Sequence, residues 1–392
     1  MKLIRKISAA LLGLVLASSV FAVDFGGEIE NNTKLSTRNF ETWGLSQQDG
    51  LTAWLKVPFN ESGNLYLATE GTLFLNCSIP NLSNASKGNV DFLVNIGLFK
   101  LGGVFNIGDN LLQLNLGRFY LTDVTGLVLS QTADGVQGVF TSDFFKASIY
   151  GAYTGFTNAR FGSINDNPSK STYVPDYKKV YSFNSPYIVT GATFSAPYLF
   201  ANQTVGAEVY GMFGTPGLRG NNSGYNRTYL TLFMNGPIVK SLYYTLTTTL
   251  GFNNGVSNLT VGTLSYYPDF KSSSVSLNAS YASGETGSIK AFRSFSSNTA
   301  TYASNSPEYS NLLKVGLRGS IKPIDSLYTT LGSDIVFDAG NDTGFRGIQW
   351  DATARYQVFM DLQVSLTAKQ FFDFKENKNN NTSFSINASL AF

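Results

Sequence analysis

Long runs in which apolar and polar residues alternate are the feature of this sequence that most limits its fold. Apolar residues occupy every second position from Leu51 to Phe59, from Val90 to Leu98, from Ile348 to Val358 and from Phe384 to Phe392. A period of two indicates β-strands. The runs are about 9–13 residues long, which exceeds the roughly 5–6 residues of a typical soluble strand. A tilted strand needs about 9–11 residues to cross a bilayer. The runs therefore predict membrane strands.

Eighteen such segments can be assigned along the chain. They lie near 24–34, 50–60, 63–75, 89–101, 110–121, 134–142, 144–154, 186–196, 202–213, 225–235, 240–252, 256–267, 272–283, 309–321, 325–338, 346–358, 361–373 and 381–392. The segments near 134–142, 186–196 and 225–235 alternate poorly, so the count is between 16 and 18. The predicted fold class is all-β, a transmembrane antiparallel β-barrel of 16–18 strands.

The links between these segments alternate in length. Tight links follow the second, sixth, fourteenth and sixteenth segments, whereas long polar links follow the first, third, fifth, seventh, ninth and thirteenth. The longest links are 155–185 and 284–308, and the turn 253–255 is a short exception. Bacterial membrane barrels combine short periplasmic turns with longer external loops. This alternation favours a barrel over a sandwich.

The N-terminus is typical of a secretion signal. Lys2, Arg5 and Lys6 precede a short apolar stretch from Ile7 to Ala17, and the sequence ending at Ala22 suits cleavage. We expect residues 1–22 to be a signal peptide for Sec-type export and residues 23–392 to form one barrel domain.

Composition excludes several other classes of protein. Charged residues make up only 14%, against about 25% in soluble proteins, and aromatic residues make up 14%. The mature sequence contains no apolar run typical of a membrane helix. Removing the signal leaves 25 basic against 26 acidic residues, which gives no electrostatic case for nucleic-acid binding.

There is no histidine, and Cys77 is the single cysteine, so His-dependent catalysis and a His or multi-Cys zinc site are excluded. We expect no enzyme activity, no cofactor and no metal.

Charged residues lie in the opposite phase to the apolar residues of these segments. This group comprises Glu28, Glu30, Lys56, Glu70, Asp91, Lys146, Glu208, Lys314, Arg318, Asp334, Asp351, Arg355 and Lys369. A charge on the lipid face costs about 2–4 kcal/mol at the midplane, so these residues predict a wet interior. A barrel of 16–18 strands leaves an aqueous channel. We expect all of them except Glu28 and Glu30 to line a pore for passive diffusion of ions and small polar solutes.

Two features bear on the selectivity of such a pore. Lys314, Arg318, Asp334, Asp351 and Arg355 fall on three successive segments and carry an excess of one positive charge. In a pore wider than the Debye length of about 8 Å this excess predicts weak ion selectivity. The link 122–133 contains the apolar run 127–129. This link either folds into the pore, where the charges would matter more, or extends a strand or packs against the rim.

A different function is compatible with the longest link. Residues 155–185 combine basic side chains with tyrosines, which are Arg160, Lys170, Tyr173, Tyr177, Lys178, Lys179 and Tyr181. Such a loop can bind an acidic ligand. The alternative to a pore is therefore a surface protein that acts as an adhesin or a ligand receptor.

The C-terminal segment carries a resemblance to a known family. Thr382 to Phe392 ends on an aromatic residue after apolar residues at alternate positions, and Leu116–Tyr120 with Asp134–Val136 adds a second likeness. In these respects the chain resembles the Gram-negative porins and related outer-membrane channels. The resemblance implies a bacterial outer-membrane location and an assembly signal at Phe392. The implied partners are outer-membrane lipid, the barrel-assembly machinery and the permeating solutes, and a homo-oligomer is left open.

Overall fold

The fold consists of eighteen β-strands in a computed structural model. It describes residues 23–83, 88–161, 164–165, 179–215, 226–296, 309–340, 344–375 and 380–392. The first nine strands are β1 (Asp24–Arg38), β2 (Thr42–Pro58), β3 (Leu65–Ile79), β4 (Asn89–Ile107), β5 (Asn110–Thr122), β6 (Ser130–Thr141), β7 (Lys146–Tyr153), β8 (Tyr187–Phe200) and β9 (Gln203–Gly214). The others are β10 (Arg227–Val239), β11 (Leu242–Phe252), β12 (Val256–Tyr266), β13 (Ser274–Ala282), β14 (Leu312–Ile324), β15 (Leu327–Asp338), β16 (Gly344–Gln357), β17 (Leu362–Asp373) and β18 (Asn381–Ala391). The expected signal, 1–22, lies outside the described residues.

The strands form one closed antiparallel barrel. Each strand pairs with its neighbours in the chain, and β18 pairs with β1 from Glu28 opposite Ala391 to Arg38 opposite Asn381. The expectation of a barrel is confirmed, with the strand count at its upper value. The three segments with poor alternation are β6, β8 and β10. None of the described residues forms a helix long and apolar enough to cross a membrane.

Strand register separates an outer from an inner face. Ile29 is opposite Leu51, and Leu51 is opposite Leu73, and all three side chains are exposed. Thr52 on β2 and Thr72 on β3 point to the opposite face from Leu51 and Leu73. Their hydroxyls form a hydrogen bond of 2.9 Å. Because side chains alternate across a strand, the exposed apolar series forms the outer face and the polar series faces the lumen. This assignment fixes which charged residues lie inside.

The link between β1 and β2 is shorter than the sequence predicts. The prediction of a long link was wrong, because both strands continue to a connection of residues 39–41. Alternation is lost in this region, yet the polar side chains satisfy each other: Asn31 Nδ2 donates to Asp49 Oδ1 at 2.6 Å, and Gln47 Nε2 donates to Asp49 Oδ2 at 3.0 Å. Strand β3 also extends beyond the predicted segment 63–75, to Ile79, so Cys77 lies within it.

A bulge changes the side-chain phase of β4. Glu70 of β3 is opposite Leu98 and Gly71 is opposite Ile96, so Gly97 is an extra residue without a partner. A bulge of one residue turns the following side chains to the other face. Leu98, which the alternation places with the lipid-facing residues, therefore turns inward and packs against the buried cluster inside the barrel. Lys100 turns inward for the same reason.

Candidate functional site

The link between β5 and β6 folds into the lumen as a compact loop. The Asp123 carboxylate organises it: Oδ1 accepts the N–H groups of Val128 and Leu129 at 3.0 and 2.8 Å, and Oδ2 accepts that of Thr125 at 2.9 Å. The backbone N–H of Asp123 donates to the carbonyl of Leu129 at 3.0 Å. A carboxylate that gathers backbone donors stabilises a turn that has no strand partner. Residues 123–129, called here the constriction loop, therefore have a defined shape.

The constriction loop is attached to the inner wall at β8 and β9. The Val124 N–H donates to Glu208 Oε2 on β9 at 3.1 Å, and Thr193 on β8 donates to Oε1 of the same carboxylate at 3.2 Å. Val128 and Leu129 are fully buried. Of the two alternatives for this apolar run, the structure shows inward folding.

Two further links meet the constriction loop. In the β13–β14 link, the N–H groups of Phe295 and Ser296 donate to the Val128 carbonyl at 2.9 and 3.0 Å. In the β7–β8 link, the N–H of Asn165 donates to the Phe295 carbonyl at 2.7 Å. Loops that converge in a barrel lumen narrow the opening that the strands alone would leave. The three links therefore form one constriction.

Arg227 at the start of β10 fixes this constriction to the wall. Its Nη1 donates to the Ser294 carbonyl at 2.8 Å and its Nη2 donates to the Asn165 carbonyl. The guanidinium lies 5.4 Å from the Phe295 ring centroid, and the residue is 2% exposed. A buried guanidinium uses several N–H donors at fixed angles, so Arg227 holds two links in one relative position.

An apolar cluster fills the space between the constriction and the wall. It includes Phe119, Leu121, Val128, Leu129, Ala133, Tyr150, Tyr187, Val189, Tyr210, Met212, Tyr229, Leu259, Phe292 and Phe295. Most of its wall members come from β5 to β10. This side of the lumen is filled, whereas inward side chains from β16 through β18 to β1 and β2 include exposed ones, and we call that part the accessible wall.

All eleven sequence-predicted site residues have the inward phase in the strand register. They are Lys56, Glu70, Asp91, Lys146, Glu208, Lys314, Arg318, Asp334, Asp351, Arg355 and Lys369. Their surroundings differ in ways that the sequence does not show. Glu208 is 3% exposed beneath the constriction loop, so it holds that loop rather than facing open water.

Several predicted site residues form ion pairs. Arg318 Nη2 lies 2.6 Å from Asp351 Oδ1, and Lys314 Nζ lies 3.8 Å from Asp334 Oδ2. Asp91 accepts from Arg160 of the β7–β8 link at 3.1 Å. The charges of β14, β15 and β16 are thus partly neutralised in pairs.

Other inward cations have no acidic partner. In the part of the chain that the structure describes, no carboxylate oxygen lies within 4.0 Å of the side-chain nitrogens of Lys34, Lys56, Arg355 or Lys369. All four are exposed, and the Lys56 ammonium lies 4.5 Å from the Tyr66 ring centroid. The accessible wall therefore carries an exposed positive series, beside the half-buried inward carboxylates Glu28, Glu30 and Glu70.

The inward cations that were not predicted from the sequence include Lys34, Lys100 and Arg227. Lys34 has the same phase as Glu28 and Glu30, so the alternation alone is enough to place it on the inner face. The phase of Lys100 is inverted by the Gly97 bulge, which the sequence pattern does not reveal.

The barrel wall is incomplete between β4 and β5. These strands pair from Ile107 opposite Asn110 up to Phe99 opposite Arg118, and not beyond. Beside this last pair, Gly117 has a φ of +118°, and a Cβ there would lie 2.4 Å from the Phe99 carbonyl oxygen, so only glycine fits. Toward the end of the barrel that carries the long links, residues 89–96 and Leu98 pair only with β3, and residues 119–122 pair only with β6. We call this gap the seam.

The β7–β8 link closes the seam. The Val94 N–H donates to the Val180 carbonyl at 3.4 Å, and Asn158 Nδ2 donates to the Val94 carbonyl at 2.8 Å. These contacts give unpaired β4 backbone groups the partners that a neighbouring strand would otherwise supply. The link thus serves as part of the wall.

Arg118 connects the elements at the base of the seam. Its guanidinium binds Asp134 of β6 through two bonds of 2.9 Å. It also donates to the Ile96 carbonyl at 3.3 Å, to the Phe156 carbonyl at 2.9 Å and to the Tyr181 hydroxyl at 3.1 Å. One side chain therefore joins β4, β6 and the β7–β8 link.

The acidic side chains and the cysteine of the described residues are not grouped as metal ligands. Among the residues that the structure describes, no group of three or more His, Cys, Asp or Glu side chains is arranged to hold a metal ion. The clustered charges act instead as structural pairs and wall groups.

Comparison with known proteins identifies the fold. No protein-family model and no curated protein matches the sequence. Among solved structures, Pseudomonas aeruginosa OpdQ superposes with a TM-score of 0.63 at 11% identity, over 94% of this chain and 98% of that chain. Pseudomonas aeruginosa OccK5 (OpdH) gives 0.61 at 13%, and OpdK with vanillate gives 0.61 at 12%, each over 94% of this chain and 98% of that chain. The chain thus has the fold of the OccK/OpdK outer-membrane porins of Pseudomonas.

Proposed function

We propose that this protein is a channel of a bacterial outer membrane for the passive diffusion of ions and small polar solutes. The observation that carries the proposal is a closed barrel whose inner face is polar and charged and whose lumen is narrowed by three inward links. A barrel of this size keeps an aqueous path unless its loops fill it. No enzymatic role is part of the proposal.

The positive series on the accessible wall supports a preference for anions. Lys34, Lys56, Arg355 and Lys369 face a lumen that the constriction narrows. Charges act strongly within a Debye length of about 8 Å, so a narrowed lumen is more selective than the wide pore expected from sequence. OpdK has been crystallised with vanillate. We therefore propose that small organic anions are the solutes that this channel favours.

Removing two of these cations tests the preference. In planar bilayers under a salt gradient, Arg355→Gln with Lys369→Gln should move the reversal potential clearly toward cation preference, because two unpaired positive charges leave the wall. Lys314→Gln is the matched control and should have a smaller effect, since Lys314 lies beside Asp334. Equal shifts for the two variants, or none in the double variant, would refute the assignment of Arg355 and Lys369 to the conducting path.

The adhesin or receptor alternative receives less support. Arg160 and Tyr181 of the β7–β8 link are engaged within the barrel, with Asp91 and Arg118 respectively. Lys170, Tyr173, Tyr177 and Lys178 lie outside the described residues. The described part of this link acts as wall and constriction, which favours the channel.

We also propose that the C-terminal strand is the signal for the barrel-assembly machinery. Phe392 exchanges two backbone hydrogen bonds of 2.9 Å with Gly27, so it takes part in closing the barrel. Its exposed ring belongs to the outer apolar series of β18, where it meets membrane lipid. Self-association is compatible with this proposal and is not required by it.

Deleting Phe392 tests whether the terminal residue is needed for assembly. The truncated protein should accumulate in the periplasm, because it lacks the terminal aromatic residue, whereas Phe392→Tyr should reach the outer membrane at normal levels. Fractionation with immunoblotting measures this. Normal membrane levels of the truncated protein would show that Phe392 is not needed for recognition.

A further inference from the structure

Two lysines face the lumen on either side of a small residue, near the short-link end of the barrel. Lys56 on β2 is the register partner of Ala68 on β3, and Ala68 is the register partner of Lys100 on β4. Register partners point to the same face of a sheet, so both lysines lie on the inner wall, on strands roughly 10 Å apart. Ala68 is buried and has only a methyl group, so its side chain does not separate the two ammonium groups.

The bulge in β4 brings Lys100 to this place. Without the extra residue Gly97, Lys100 would share the outward phase of Val94 and Ile96. The next register partner beyond Lys100 is Gly117 on β5, which presents no side chain to the lumen. The pair of lysines therefore depends on a local irregularity of the strand.

Tyr66 supplies a third polar group beside the lysines. The Lys56 ammonium lies 4.5 Å from the Tyr66 ring centroid. Opposite Tyr66, Gly102 lets the ring extend across β4, since a Cβ on Gly102 would lie 2.6 Å from the Tyr66 hydroxyl oxygen. The hydroxyl therefore lies over the strand that carries Lys100, and no described residue forms a hydrogen bond with it.

No carboxylate neutralises the two lysines. Within the described part of the chain, every carboxylate oxygen is more than 4.0 Å from the side-chain nitrogens of Lys56 and Lys100. The neighbouring inward acids are Asp24, the register partner of Lys56, and Glu70, the next inward residue of β3. Glu70 is turned toward the bulge, since a Cβ on Gly97 would lie 2.8 Å from its Oε1. The two ammonium groups act on each other electrostatically, and an anion between them would relieve their repulsion.

These donors suit a phosphate group better than a carboxylate. A phosphate monoester carries a charge of about −1.5 to −2 at neutral pH, which balances two ammonium groups, whereas a carboxylate carries a single charge. Phosphate oxygens point in tetrahedral directions, so they can meet donors that approach from β2, β3 and β4. A carboxylate has two oxygens in one plane, which match the guanidinium fork of an arginine rather than two separate lysines.

We propose that Lys56, Lys100 and the Tyr66 hydroxyl bind the phosphate group of a small solute above Ala68. Lys56 lies two residues before Pro58, where β2 ends at a short link. In the topology of outer-membrane barrels the site is therefore near the periplasmic mouth. The inference rests on the proposed channel for solute access, and it narrows the favoured anions to those that carry a phosphate group.

Isothermal titration calorimetry with inorganic phosphate measures the site on the folded barrel in detergent, without the need for a current. Lys56→Gln and Lys100→Gln should each weaken binding about tenfold, the usual effect of losing one hydrogen bond to a charged group. Tyr66→Phe should weaken binding less, because both positive charges remain. The mobility change on boiling checks that each variant is folded.

Lys146→Gln is the matched control. Lys146 is an exposed inward cation that begins β7, at the same end of the barrel, and its register partners are the uncharged Thr141 and Ser195. The variant loses one positive charge from the lumen and should bind phosphate as wild type does. An equal loss of binding in Lys146→Gln and Lys56→Gln would overturn the proposal, because general attraction of anions would then explain it.

Other anions test the phosphate assignment. Malonate, with two carboxylates, should bind more weakly than phosphate. Equal binding of malonate, or no binding of phosphate to wild type, would overturn the proposal. Tighter binding of glycerol 3-phosphate than of inorganic phosphate would support an organic ester as the solute, and weaker binding would support the free ion.

Chloride conductance in planar bilayers, measured separately, distinguishes failure of the site from failure of the channel. A conducting barrel that binds no phosphate would overturn the site alone. A barrel that binds phosphate at the lysine pair and gives no current would support the site and contradict the proposed channel.

Discussion

Replacing Arg118 with Met is expected to lower the free energy of unfolding of the barrel by about 3–5 kcal/mol, the usual cost of removing one partner of a buried ion pair. The side chain of Arg118 is 10% exposed and that of Asp134 is 26% exposed, so water replaces little of the lost interaction. The carbonyls of Ile96 and Phe156 also lose a donor. Since these groups belong to three different elements, the loss should weaken closure of the seam.

Equilibrium unfolding in urea, with the protein refolded into vesicles, measures this effect. Lys322→Met is the control: Lys322 lies 3.7 Å from the fully exposed Asp325, and such surface pairs contribute at most about 1 kcal/mol. The double variant Arg118→Met/Asp134→Leu removes both charges and should recover part of the stability. If Arg118→Met were no more destabilising than Lys322→Met, Arg118 would not be holding the seam closed.

Replacing Asp123 with Ala is expected to release the constriction loop and increase single-channel conductance. The substitution removes the acceptor for three backbone N–H groups, and a buried donor without a partner costs about 1–3 kcal/mol. The loop then loses the shape that places Val124 against Glu208 and Val128 against the β13–β14 link. A mobile loop should also produce more frequent transitions between current levels.

Asp123→Asn provides a graded comparison. Its amide keeps one oxygen that can accept from Val128 and Leu129, so its conductance should lie between those of wild type and Asp123→Ala. Single-channel recordings at one salt concentration compare the three proteins. Identical conductance and noise in all three would mean that residues 123–129 do not limit the conducting path.

The barrel was predictable because each strand carries its own alternation of apolar and polar residues. Local deviations were not predictable in the same way. The polar outer residues of β1 and β2 break the pattern, and only its cross-strand partner Asn31 shows that Asp49 belongs to a strand. The Gly97 bulge likewise becomes visible only in the register between β3 and β4.

The phase of the charged residues was also predictable, whereas their surroundings were not. Glu208 follows the alternation of β9, but its burial depends on a loop that lies more than eighty residues earlier in the chain. The constriction joins Val128 to Phe295, and the seam joins Arg118 to Tyr181. Contacts at such separations leave no periodic signal, because alternation reports only which face of a strand a residue occupies.

Single-channel recording of the purified wild-type protein in a planar bilayer tests the central claim most directly. An aqueous channel that runs through the constriction predicts discrete upward current steps of uniform size, with a reversal potential that shows anion preference under a salt gradient. A correctly folded barrel that inserts and gives no current steps would contradict the account, because the inward links would then close the lumen completely.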